Sequence, residues 1–203
     1  MCIKPEKVPP KKYISSKFSE NVLIYSREVG KNDPDRLFID NDEMAFIICF
    51  DGSKQRIMES GFYRIIEKPT RVIWIKKVPR EVKIGVPREA TGVNIGFHTR
   101  IRLYPINWNV IYESFEFEGR EKTITLDEIK EILRESALGA FMAVAKEIEN
   151  PSNNLEEVKR KFNEELNKIL VNTKLSGFAA IVSHLGFSTM CKLPQDIFEV
   201  AKV

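Results

Sequence analysis

Cysteine and histidine are scarce in this chain, and their scarcity removes most site chemistry at once. Among 203 residues there are three cysteines and two histidines. Cys2, Cys49 and Cys191 lie far apart, a pattern that matches neither a disulfide framework nor a Cys-x-x-Cys redox or metal motif. Two buried thiols and one loose terminal thiol are the expectation. His98 and His184 have no cysteine or histidine at metal-ligand spacing. Long apolar runs are missing too: the longest, Met44–Phe50, falls far short of the ~18–20 residues that a membrane-crossing helix needs. The first residues are charged and proline-containing, unlike the apolar core of a signal peptide. These features lead to the expectation of a cytoplasmic protein that meets a membrane only by peripheral docking. No nucleophile elbow, dinucleotide-binding glycine loop or Walker phosphate loop occurs. No catalytic residue, metal ligand or cofactor is therefore expected.

What is present is an ordinary globular balance, with 43% hydrophobic and 30% charged residues. A chain of this length can bury a full core without covalent staples. Its middle is a succession of apolar, β-branched stretches: Leu37–Asp40, Glu43–Phe50, Gln55–Met58, Gly61–Ile66, Arg71–Lys76, Val82–Val86 and Thr91–Tyr104. Asp51-Gly52, Ser60-Gly61, Lys68-Pro69 and Val86-Pro87 punctuate them, the signature of an antiparallel strand meander. Glu43–Phe50 and Val72–Ile75 are apolar without alternation and should be covered on both faces. Arg100, Arg102 and Tyr104 alternate with Ile101 and Leu103, which puts the basic pair on an open face and the aliphatic pair inside. Asn109–Phe117 reads as one more strand. Gly92 and Gly96, inside a strand pattern, point to a bulge or a close backbone approach. Asp40, Asp42 and Glu43 form an acidic turn that lacks the continuation of an EF-hand loop, so a solvated turn is expected.

Helices follow. Thr125 and Glu128 form a capping box, and Ile129, Leu133, Ala137, Ala140, Phe141 and Val144 then recur at helical spacing. Asn150-Pro151 should stop this helix and Asn154 cap the next, whose buried stripe is Leu155, Val158, Phe162, Leu166, Ile169 and Leu170. Glu156/Arg160, Glu157/Lys161 and Glu164/Lys168 are spaced for ion pairs on its wet face. Residues 176–185 fit helix and strand equally, Phe187–Leu193 reads as a last short strand, and a short helix from Gln195 would close the chain.

The net charge of +3 is concentrated toward the start, where residues 1–36 hold eight basic side chains against five acidic. Residues 1–35, rich in proline and lysine, read as a basic arm in which only Val22–Tyr25 suggests a strand, at a sheet edge; residues 36–203 read as the folded domain. Lys4, Lys7, Lys11 and Lys12 in the arm, with Arg100 and Arg102 on the sheet face, are the candidate anion or phosphate contacts.

Several stretches together resemble the SPFH domain, the band 7 family of stomatins, prohibitins and flotillins. Leu37-Phe-Ile-Asp-Asn-Asp-Glu-Met-Ala resembles the family's opening strand and acidic turn. Ser60-Gly-Phe-Tyr-Arg-Ile-Ile followed by Pro69 is similar to its glycine-aromatic hairpin. Thr91-Gly-Val-Asn-Ile-Gly running into Arg100-Ile-Arg-Leu-Tyr resembles the entrance to its long strand, and the two helices and Leu193-Pro194 follow in the family's order. The resemblance implies an α+β fold, an antiparallel meander over about residues 37–117 covered by C-terminal helices. It also implies a non-enzymatic scaffold that forms homo-oligomers and binds protein partners, in an assembly or peripheral to a membrane. Two alternatives remain: a nucleic-acid-binding module using the basic arm and sheet face, and an enzyme whose site is assembled from distant residues.

Overall fold

The computed structural model describes residues 2–68, 70–93, 95–148 and 155–188. The chain runs through β1 (Ile3–Glu6), β2 (Val22–Val29), β3 (Arg36–Ile39), β4 (Glu43–Ile48), β5 (Lys54–Ile57), β6 (Gly61–Ile65) and β7 (Thr70–Lys76). Then come β8 (Arg80–Val86), the single turn α1 (Arg88–Thr91), β9 (Gly96–Pro105) and α2 (Trp108–Ser114). The last described elements are β10 (Glu121–Thr125), α3 (Leu126–Ile148), α4 (Leu155–Leu170) and β11 (Phe178–Ser188). The architecture is α+β with antiparallel sheets, and it falls into two compact units. One comprises residues up to Val78 with Glu116–Glu128; the other comprises Pro79–Phe115 and the residues from Ile129 onward.

In the first unit the strands do not make one sheet, as a simple meander would, but two. A five-stranded sheet has the order β10-β2-β7-β4-β5 and a three-stranded sheet the order β1-β6-β3. The uniformly apolar runs occupy the middle of the larger sheet: β4 and β7 pair antiparallel, and Ala45, Ile47, Val72 and Trp74 are fully buried. β4 and β7 are buried on both faces, whereas β3 and β6 alternate between buried and more open positions. Apolar side chains such as Ile3, Leu37, Ile39, Ile47, Ile65 and Trp74 belong to one core cluster.

The first 35 residues are more ordered than their composition suggests. β2 lies inside its sheet, between β10 and β7, not at an edge. Burial of Val22–Tyr25 on both sides stabilises what propensity alone leaves weak. β1 adds to β6, and Ile14 bridges Leu37 in parallel, its amide donating to the Arg36 carbonyl at 2.8 Å. Tyr13 packs edge-on against Phe38 and Phe62, with ring centroids 5.7 and 5.2 Å apart. Cys2 and Cys49 are joined by a disulfide, with Cα atoms 5.8 Å apart, which overturns the expectation of free thiols at these positions. The two sulfurs meet because β1 docks on β6 beside the end of β4, a tertiary event that spacing does not announce. Cys191 lies outside the described residues.

The second unit holds an antiparallel sheet of order β11-β9-β8. Its apolar face carries Val82, Ile84, Phe97, Ile101 and Leu103, all buried, while Arg100 and Arg102 project from the other face as their alternation requires. Phe141 of α3 stacks on Phe97 at 4.6 Å and Phe162 of α4 meets it edge-on at 5.9 Å, so the helices cover this sheet. The capping box forms as expected, with the Glu128 amide donating to Thr125 Oγ1 at 3.2 Å and the Thr125 amide to Glu128 Oε2 at 2.5 Å. Along α4 further ion pairs join the expected ones, with Lys161 acting on Glu157 and Glu164 on Lys168 as the spacing foresees. Glu157 and Glu164 both engage Arg160, three and four residues away, while Glu156 engages Lys159 and Glu165 engages Lys168 at three-residue spacing, which reaches the same helix face as four.

Two local expectations change and one open alternative is decided. Residues 108–114 form a helix, not a strand: the Asn107 side chain accepts from the Val110 amide at 3.3 Å, and capping prevails over the β-propensity of Val110, Ile111 and Tyr112. Residues 88–91 form a helical turn ended by Gly92 at φ 69°, so β9 starts only at Gly96. A Cβ at Gly96 would lie 2.8 Å from the Val86 carbonyl oxygen, which is the close backbone approach foreseen there. Residues 178–188 resolve as strand. The helix stop at Asn150-Pro151, the cap at Asn154, and the calls for strand and helix beyond Ser188 lie outside the described residues.

Candidate functional site

The six basic residues singled out from the sequence divide between the two units. Arg100 and Arg102 stand on β9, on the sheet face that α3 and α4 leave open. Strand register extends this face into rows. Lys83, Arg100 and His184 lie opposite one another across the three strands, as do Gly85, His98 and Gly186. Arg102 is matched by Glu81, Nε to Oε2 3.3 Å, and Ser183 Oγ donates to the same oxygen at 3.3 Å. Among the described residues no carboxylate is paired with Arg100, so the centre of the face carries net positive charge.

His98 and His184, 86 positions apart in sequence, are brought together there with stacked rings whose centroids are 5.1 Å apart. Gly186 makes this possible, since a Cβ at that position would come within 2.4 Å of the His98 ring. Burial, helped by His184 and Arg100, holds the His98 pKa below the ordinary imidazole value. His98 is therefore neutral at physiological pH and presents a flat, half-buried ring beside cations. Two imidazoles fall short of a metal site, and among the described residues no group of three His, Cys, Asp or Glu side chains could hold an ion. The face suits weak contacts with an anion or an acidic segment.

The free edges of this sheet are treated differently. Two asparagines of α4 close β11: Asn167 exchanges hydrogen bonds with Ala180, Nδ2 to O 2.8 Å and N to Oδ1 2.9 Å, and Asn163 accepts from the Val182 amide at 2.8 Å. No periodicity marks Asn163 and Asn167 for this role, because they sit beside the apolar stripe among polar neighbours. Among the described residues β8, the opposite edge, has β9 as its one strand partner.

In the first unit, Lys4 lies on β1 directly opposite Arg64 of β6, and Arg64 lies opposite Arg36 of β3. Three cations thus share one row of a three-stranded sheet. Arg36 is answered by Glu6 and Asp35. Lys7, Lys11 and Lys12 are exposed, and the structure does not bring them into this row. In the larger sheet of this unit, Glu43 is a buried carboxylate: Ser16 Oγ donates to it at 2.6 Å and Lys76 Nζ at 3.1 Å, with Asp42 2.8 Å from the same ammonium. The acidic turn is thereby committed to a lysine. Asp33 is held similarly, accepting from the Gly30 amide at 2.9 Å, Arg27 at 2.8 Å and Arg120 at 2.7 Å.

Comparison with known proteins returned no matching family model and no matching curated sequence. Among the described residues no helix is long and apolar enough to cross a membrane.

Proposed function

We propose that this protein is a non-enzymatic scaffold of the SPFH type, acting through association of its own copies and through protein partners, in an assembly or at a membrane surface. The observation that carries the reading is the asymmetry of the second unit's sheet. Its β11 edge is closed by Asn163 and Asn167, whereas β8 offers a seven-residue edge, Arg80–Val86, with one strand partner among the described residues. Such an edge accepts an added strand, and main-chain hydrogen bonds then supply affinity. Arg80, Glu81 and Lys83 restrict which strand can add, because like charges placed opposite one another oppose pairing. The helices α3 and α4, which come after β10, are in keeping with the element order that the resemblance implies.

Light scattering coupled to size exclusion tests this reading over a wide concentration range. A defined multimer that shifts to smaller species when proline replaces Val82 or Ile84 is the expected result. A strict monomer at millimolar concentration refutes it. Retention of RNA or DNA that weakens steeply with salt would favour the nucleic-acid alternative instead.

A further inference from the structure

We propose that the first unit carries a binding cleft for a small ligand bearing two phosphate groups, a function beyond the scaffold reading and independent of it. Where β1 joins β6, a cavity of about 570 Å³ opens between the strands and the loops at residues 30–35 and 66–68. That volume lies within the usual range for small-molecule sites. Lys4, Lys31, Arg64 and Lys68 line it, with Asp35 as its one acid and Ile65 and Ile66 as its apolar wall.

Three features make this more than a solvated basic patch. Like charges directly opposed across strands are destabilising, yet Lys4, Arg64 and Arg36 stand in one row. Asp35 is already committed: it pairs with Arg36 and lies 3.5 Å from Arg64 Nε, whose side chain stays 58% exposed. Lys68 is held at the cleft by its ammonium, which donates to the Asp33 carbonyl. Four cations facing one shared carboxylate leave an excess of three positive charges. One phosphate group carries about −1.5 to −2 at neutral pH; two adjacent groups match the excess. Arg64 supplies the planar fork suited to phosphate oxygens, and the lysines act as point charges around it. Ile66, 46% exposed at the wall, offers an apolar surface to the rest of the ligand.

Free diphosphate and a multiply phosphorylated lipid headgroup share this chemistry. Isothermal titration with inorganic pyrophosphate and inorganic phosphate on the full chain is the primary test. Pyrophosphate should bind one to one and at least tenfold more tightly than phosphate. Arg64→Ala and Lys4→Ala should each weaken it tenfold or more, while the control Lys11→Ala/Lys12→Ala, which removes two positive charges outside the cleft, changes it less than twofold. Equal affinity for the two anions, or equal loss in the control, overturns the proposal. Flotation with phosphatidylcholine vesicles containing phosphatidylinositol bisphosphate separates the sources. Vesicle binding that pyrophosphate displaces places the lipid headgroup in the cleft, and pyrophosphate binding without flotation assigns a soluble ligand. Vesicle binding that pyrophosphate leaves intact, in a protein that does not bind pyrophosphate, overturns it.

Discussion

Breaking the Cys2–Cys49 link should destabilise the first unit by a calculable amount. The bond spans 47 positions. In the chain-entropy account a loop of that size restricts the unfolded state by about 4 kcal/mol, between the values for ~15 and ~100 residues. With a urea m-value of about 2 kcal/mol/M, the unfolding midpoint should fall by about 2 M. Trp74, buried in this unit's core, reports the transition once the chain's other tryptophan is replaced by Trp108→Phe. Thiol titration under denaturing conditions should give one reactive thiol per chain before reduction, from Cys191, and three afterwards. Cys2→Ser without reductant should reproduce the reduced midpoint, since β1 keeps its ladder to β6 and its buried Ile3. Three thiols in the unreduced chain, or a midpoint indifferent to reductant, would refute the reasoning.

Other perturbations probe other links. Phe162→Ala empties a fully buried site against Phe97 and should cost about 3–5 kcal/mol in chemical denaturation; a loss under about 1 kcal/mol would mean that α4 does not pack on this sheet. Lys76→Met strands the buried Glu43 carboxylate and should cost about 3 kcal/mol or more, part of it recovered in the double variant with Glu43→Gln. Lack of recovery would show that the two charges are not coupled. Burial opposes ionisation of Asp33, but the Gly30 amide, Arg120 and Arg27 outweigh it and lower its pKa below the ordinary carboxylate value. The stabilisation is present above the unfolded-state pKa of about 4 and is lost as pH falls through the lower folded-state value. Asp33→Asn should flatten that acid limb of a thermal-melt series, and an unchanged limb would assign it to other carboxylates.

The sequence alone determined the elements whose signals are local. Unbroken apolar runs made β4 and β7 interior strands, two-residue alternation faced Arg100 and Arg102 away from Ile101 and Leu103, and a four-residue capping box started α3. Each depends on neighbours a few positions away, so periodicity and hydrogen-bond chemistry read them correctly. Tertiary structure decided everything that joins distant positions. It divided the strands among three sheets, moved β2 from edge to interior, stacked His98 on His184, and set Lys4 against Arg64. It also closed the disulfide across 47 residues. Residues 108–114 mark the boundary between the two, because β-propensity describes fit to a sheet, and here an asparagine cap starts a helix instead. The cationic cleft was only a quarter legible. Lys4 stood out in a lysine-rich arm, but Lys31, Arg64 and Lys68 join it only because β1 docks on β6, and docking is governed by burial of Ile3 and Ile65, not by the charges it brings together.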